Sequence, residues 1–193
     1  LSATASATVQ QVPTSLSIVS GNAQTDTVGQ LLAEALVVRA EDQGGTAVSA
    51  VSVSFSISQG GGSLSETSVT TDGDGEASTT WTLGTTSGTQ NVTVLIQGSE
   101  SGKADFSATA TPGPATAFSK EWGDQQIGKN DRALPEPIVA AVKDEFGNGI
   151  AGIPVTFAVT DGGGSISPAD SMTGETGTAE GTWTMGVVGA NTL

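Results

Sequence analysis

Cysteine and histidine are both absent from this sequence of 193 residues. The lack of cysteine excludes disulfides and thiolate chemistry, but it does not decide the compartment, because it suits a secreted bacterial protein as well as a cytosolic one. Serine and threonine are frequent, yet a hydroxyl nucleophile needs a neighbouring base, and histidine is missing. No pair of carboxylates lies at an apolar strand end, where burial would raise one pKa for glycoside hydrolysis. The sequence therefore predicts no catalytic residues and no enzyme.

Basic residues are scarce as well. Six lysines and arginines stand against twenty aspartates and glutamates, which gives a net charge of −14. Such a chain repels nucleic acid and anionic membranes, and its acidic residues are dispersed along the sequence. No apolar run approaches the roughly 18 residues that a transmembrane helix needs. We expect neither nucleic-acid binding nor direct membrane insertion.

What the sequence does contain is a long internal repeat. Residues 51–84 recur 102 positions later as residues 153–186, with the same alternating apolar residues, triple glycine and Trp-Thr pair. Residues 32–91 and 134–193, aligned without a gap, share 19 identities in 60 positions. Each copy is long enough to bury its own core, unlike the short repeats of solenoids. The chain is therefore predicted to be an array of like domains, in which core pattern and turns recur.

Apolar and polar residues alternate within each copy, which predicts strands rather than helices. The clearest core face is formed by Val51, Val53, Phe55 and Ile57, and it recurs between Ile153 and Val159. About seven short strands with turns every 8 to 12 residues, in about 100 residues, predict an antiparallel β-sandwich. Further strands are predicted at 15–20, 34–41, 77–83, 92–96 and 106–111, with turns at 42–46, 60–63, 72–75 and 144–148.

The repeat also predicts the domain boundaries. Residues 12–112 form the first domain and residues 113–193 the second. The junction between them, Thr-Pro-Gly-Pro at 111–114, contains two prolines that restrict the backbone, so we expect it to limit bending. Residues 1–11 resemble the strand at 106–111 that closes the first copy. They are interpreted as the last strand of a preceding module.

The second copy ends early. With a single-residue gap near Gly88 and Gly189, Leu193 aligns with Val92, and nothing matches the last two strands of the first copy. No basic region opens the chain, so no signal peptide is visible. We expect the chain to be a piece of a longer protein whose targeting signal lies elsewhere. The alternative is that residues 1–11 complete the open domain of the next molecule, which would give head-to-tail filaments by strand addition.

Five segments of the second copy carry a family resemblance: Val142–Gly149, Gly152–Phe157, Gly162–Ser165, Gly177–Ala179 and Trp183–Gly186. They resemble bacterial immunoglobulin-like domains of the invasin/intimin type, which occur in tandem in large surface proteins. The first copy matches more loosely. The resemblance implies two tandem immunoglobulin-like β-sandwiches, the second lacking its last strands, at an extracellular or cell-surface location. It implies as partners the neighbouring Ig-like domains and a host or cell-surface protein or glycan.

Two loop motifs could hold a ligand. Asp72, Asp74 and Glu76 alternate in a spacing that could begin a calcium site, but the full twelve-residue loop with its bidentate acid is missing. We expect a hairpin turn there, no metal site and no cofactor, with a weak calcium contact as the alternative. Gly60–Ser63 lacks the lysine of a phosphate-binding loop and is predicted to be a structural bend. Asn91 begins a glycosylation sequon that lies within a predicted strand.

The three tryptophans fall into two groups. Trp81 and Trp183 occupy equivalent strand positions and are predicted to pack in the two cores. Trp122 replaces Ser20 of the first copy and breaks the repeat. An aromatic residue out of pattern is expected to lie at an interface or to bind a sugar by stacking.

The sequence as a whole predicts a structural or adhesive repeat segment of a microbial cell-surface protein that acts as a semi-rigid stalk. The filament subunit and a carbohydrate-binding accessory module that uses Trp122 are the alternatives.

Overall fold

The computed structural model describes residues 11–99 and 102–187, so residues 1–10 of the predicted donor strand lie outside the described part. The chain divides into two compact units, Leu1–Thr111 and Pro112–Leu193. Every regular element in the described ranges is a β-strand. Within these ranges no helix has the length and apolar character that a membrane crossing requires. The predicted all-β class is confirmed.

The first unit is an immunoglobulin-like sandwich. Its described strands are β1 Ser15–Ser20, β2 Gln24–Thr27, β3 Leu36–Glu41, β4 Ser52–Gln59, β5 Gly62–Leu64, β6 Ser68–Thr70, β7 Glu76–Thr79, β8 Trp81–Leu83, β9 Gly88–Ile96 and β10 Lys103–Thr111. They form one sheet in the order β1-β3-β7, with β5 and β8 paired separately, and a second sheet in the order β2-β10-β9-β4-β6. The described ladders are antiparallel except for that between β2 and β10, which is parallel.

The core of the first unit lies between these two sheets and follows the predicted alternation. On β4, Val53 and Phe55 are buried, whereas the flanking serines Ser52 and Ser56 are exposed. Ile57 is partly buried. Leu36 is fully buried on β3. The largest fully buried side chains are Trp81, Phe55, Phe106, Leu36, Leu83, Gln90, Val38, Val53, Val92 and Val94.

The second unit repeats this plan with fewer described strands. The strands are β11 Ala117–Trp122, β12 Ile138–Lys143, β13 Pro154–Thr156, β14 Gly164–Ser167, β15 Asp170–Met172 and β16 Thr178–Met185. Four of them form a sheet in the order β11-β12-β16-β14, and β13 pairs with β15. The pairing of β11 with β12 has the same irregularity as that of β1 with β3, one residue before the end of the first strand.

The strand predicted between Ile153 and Val159 is observed only in part. β13 has three residues, and Phe157 is half-buried, whereas its counterpart Phe55 is 2% exposed. In the first unit, β4 is paired on one side by β6 and on the other by β9. Among the described residues of the second unit, β13 is paired by β15 alone. Phe157 is less buried because no described strand of the second unit occupies the place of β9.

Candidate functional site

Three aspartates close turns with one shared geometry. In each, Oδ1 accepts hydrogen bonds from the backbone amides two and four residues later, at 2.9 Å for Asp42, 2.9 Å for Asp72 and 2.8–2.9 Å for Asp144. The predicted turns are therefore confirmed, and each aspartate caps the backbone of its own loop. In the described ranges, no group of three or more acidic residues is placed to hold a metal ion. The weak calcium contact considered for Asp72 stays a hypothesis.

Asp144 differs from the other two because it is almost completely buried, with 3% of its surface exposed. Its second oxygen, Oδ2, accepts hydrogen bonds from Asn148 Nδ2 at 2.8 Å and from the backbone amide of Gly113 at 2.9 Å. Burial raises the pKa of this carboxyl, but the hydrogen bonds from Asn148, Gly113 and Phe146 outweigh burial and hold its pKa below the usual range. Four donors thus converge on a charged group inside the domain.

Gly113 belongs to the junction between the two units, so this bond fixes the start of the second unit. On the other side of the junction, Thr111 ends β10, and its carbonyl accepts the amide of Val28 at 2.9 Å. Pro112 is the one residue between these two anchored positions. The proline ring fixes the φ of Pro112 itself.

Two buried threonines hold the same loop in both units. Thr71 Oγ1 accepts the amide of Val51, 20 residues earlier, and donates to the carbonyl of Val48, 23 residues earlier, both at 2.9 Å. Thr173 makes the same two bonds at the same separations, at 2.9 and 2.6 Å. Each hydroxyl satisfies two backbone groups in the interior, which would otherwise be costly to bury.

Two glutamines repeat in the same way at the loop that follows the first strand of each unit. Gln24 donates through Nε2 to the carbonyls of Gly21 and Glu34, and its Oε1 accepts the amide of Glu34. Gln126 bonds to the residues at the matching separations, at 2.8–3.0 Å. The sequence analysis missed these glutamines, although their spacing of 102 residues was a usable signal.

Trp81 and Trp183 are not equally covered. Trp81 is fully buried, as predicted, whereas Trp183 is only half-buried. The indole Nε1 atoms of both are buried and have no hydrogen-bond partner among the described residues. Their shared position in the strand confirms that the two copies place an indole at the same point of the sandwich.

Trp122 ends β11, and 63% of its surface is exposed. It lies beside a shallow recess of about 320 Å³, whose lining is completed by Glu121, Gly123, Asp124, Gln126 and Glu136. Ion pairs join Lys120 to Asp124 and Lys143 to Glu121 around this recess. The hydrogen bond from Lys120 is the main cause that holds the pKa of Asp124 below its usual range.

The other two motifs have structural explanations. Gly60, Gly61 and Gly62 all adopt positive φ, between 78° and 95°, and they form the predicted bend after β4. Asn91 of the sequon lies in β9, where its Nδ2 donates to Gln59 Oε1 at 2.9 Å.

Residues 135–193 match the family model of the bacterial Ig-like domain (group 1). The second domain is a bacterial Ig-like domain. The match covers the second copy of the repeat. The first copy makes equivalent hydrogen bonds through a threonine, a glutamine and an aspartate at matching positions.

Several solved structures are similar to this tandem of Ig-like domains. FdeC, an adhesin of Escherichia coli, is 22% identical, with 89% of this chain and 55% of that chain covered and a TM-score of 0.48. The D0-D1 domain of intimin is 22% identical, with 91% and 86% covered and a TM-score of 0.38. InvE, an adhesin of Yersinia pseudotuberculosis, is 17% identical, with 88% and 51% covered and a TM-score of 0.45. The chain spans about half the length of the FdeC and InvE structures, and similarity at this level transfers no ligand or receptor.

Proposed function

We propose that this chain is a structural segment of a microbial cell-surface protein, in which tandem Ig-like domains form a semi-rigid stalk. The main support is the junction. Thr111 is bonded within the first unit and Gly113 within the second, with Pro112 as the one residue between them. A flexible linker gains reach and disorder with each added residue, and a single proline offers little of either. Neighbouring domains joined in this way should keep a restricted range of angles.

What recurs between the two copies also supports a mechanical role. The repeated residues form buried faces, turn caps and backbone clamps, including Thr71 and Thr173. They stabilise each domain and leave no shared reactive group among the described residues. A net charge of −14 keeps such an array hydrated and disfavours association between copies. These properties suit an extracellular spacer that holds another domain away from a cell surface.

The proposed partners are neighbouring Ig-like domains of the same protein, and a host or cell-surface protein or glycan for the whole molecule. The structure adds no specific observation for a filament. The strand that would join filament subunits, residues 1–11, lies outside the described residues except for Gln11.

Analytical ultracentrifugation tests the stalk against the filament. A stalk segment sediments as a monomer at all concentrations, with a frictional ratio typical of an elongated particle. A filament subunit instead forms polymers that resist dilution, and deletion of residues 1–11 abolishes them. A compact monomer, or polymers that persist after the deletion, would contradict both proposals.

A further inference from the structure

Trp122 is exposed for a reason that does not depend on how complete the second domain is. Its counterpart in the first unit is Ser20, and that residue is also exposed although the strands around it are all described. This position therefore belongs to the outer surface of the sandwich. A large apolar side chain at a surface position contributes nothing to core packing, so its presence suggests contact with another molecule.

The position also lies at the side of the domain. In the first unit, the chain crosses from one sheet to the other between Ser20 and Gln24, because β1 and β2 belong to different sheets. In the second unit, Gln126 makes the hydrogen bonds that Gln24 makes in the first, at 2.8–3.0 Å, and so holds the loop that follows Trp122. The indole thus lies at the end of β11, beside a loop that three hydrogen bonds of Gln126 hold in place.

The charges around the indole restrict the chemistry of a ligand. Two of the carboxylates that line the recess are paired with lysines, Glu121 with Lys143 and Asp124 with Lys120, so their negative charges are compensated. The remaining carboxylate is that of Glu136. Compensated pairs present both donors and acceptors of hydrogen bonds with little net charge. That combination favours a neutral polyhydroxylated ligand over a cation, which would need uncompensated carboxylates.

A nucleobase also stacks on tryptophan, but the phosphates attached to it would meet a chain of charge −14. A pyranose ring has an apolar face of C–H groups for the indole and hydroxyl groups for the polar rim. A recess of about 320 Å³ lies at the lower end of the range for small-molecule sites, which suits one or two sugar rings.

We propose that Trp122 and the recess beside it form a binding site for a neutral glycan, with one sugar ring stacked on the indole. Asp124, Glu121 and Glu136, which line the recess, accept hydrogen bonds from the sugar hydroxyls. The site is independent of the stalk proposal, since a compact or polymeric chain could present the same surface.

The test is affinity gel electrophoresis of the full chain in gels that contain hydroxyethyl cellulose, galactomannan or dextran, followed by an array of neutral oligosaccharides. The variant is Trp122→Ser, which installs the residue that the first domain already has at this position. The matched control is Phe118→Leu. Phe118 is 68% exposed on the same strand, and its counterpart in the first domain is Leu16.

We expect at least one of these glycans to bind the wild-type chain and the Phe118→Leu variant equally. Trp122→Ser should raise the Kd by about tenfold or more, because it removes a stacked ring. Bound glycan should also protect indole fluorescence from acrylamide in the wild type and not in Trp122→Ser. The proposal is overturned if none of the glycans binds the wild-type chain, or if Trp122→Ser binds as tightly.

Discussion

Replacement of Asp144 by alanine should destabilise the second domain far more than the matching change Asp42→Ala destabilises the first. Asp144 is 3% exposed and accepts four hydrogen bonds, including that of Gly113. A hydrogen bond to a charged group contributes about 1.5–3 kcal/mol, and bonds within one network are not additive. We therefore expect a loss of about 3–5 kcal/mol. Asp42 accepts two turn amides at an exposed site, so its loss should cost about 1–2 kcal/mol.

The assay is urea unfolding of the whole chain followed by tryptophan fluorescence. Trp183 reports on the second domain and Trp81 on the first, so a change confined to one transition identifies the domain affected. The variant Asp144→Asn keeps an acceptor for the turn amides and loses the acceptor for Gly113, and it should fall between wild type and alanine. The reasoning is refuted if Asp144→Ala and Asp42→Ala shift their transitions equally.

Three further outcomes follow from the same contacts. The pKa of Asp144 is lowered in the folded state, so its contribution to stability is complete above about pH 4 to 5 and is lost as the pH falls through the folded-state pKa. A plot of the urea midpoint against pH should therefore fall at low pH in the wild type, and Asp144→Asn should flatten that fall. Thr71→Val leaves the backbone groups of Val51 and Val48 without their hydrogen bonds to Thr71, so it should lower the unfolding free energy of the first domain by about 2–3 kcal/mol in urea melts. A loss below about 0.5 kcal/mol would show that these two hydrogen bonds do not stabilise the domain. Gly62→Ala should lower the Tm of the first domain more than Gly61→Ala. A Cβ at position 62 would lie 2.2 Å from the Thr82 carbonyl oxygen, whereas a Cβ at position 61 meets no atom within 4 Å. Equal shifts in Tm would contradict this steric argument.

The β-sandwich core was predictable from the sequence because its signal is periodic. Val53, Phe55 and Trp81 alternate with polar residues, and the structure buries all three. The aspartate turns were predictable for a local reason, since the carboxylate bonds to amides two and four residues away. Such patterns need no knowledge of distant contacts.

Features that depend on distant partners were missed. Gln90 is fully buried on β9, at the position where the alternation places an inward residue, but its polar side chain gave no core signal. Its interior position is possible because Oε1 accepts the amide of Gly84 at 2.8 Å and Nε2 donates to the carbonyl of Thr86 at 2.9 Å. The bond between Gly113 and Asp144 spans 31 residues, and no local pattern indicates it.

The candidate site was only partly predictable. Trp122 stands where the first copy has Ser20, and this break in the repeat marked it as a candidate from the sequence alone. The polar rim was not predictable, because Glu136 comes from a separate loop and Lys143 from the neighbouring strand β12. Repeat comparison identified the exception, and only the fold showed its surroundings.

The most direct test of the stalk is the distribution of distances between the two domains, measured by double electron–electron resonance. Because the chain has no cysteine, Thr89→Cys and Thr182→Cys on exposed strand positions give one spin label in each domain. The account predicts a narrow distribution that broadens clearly when Pro112 is replaced by glycine and Asp144 by alanine. A wild-type distribution as broad as that of the junction variant would contradict it.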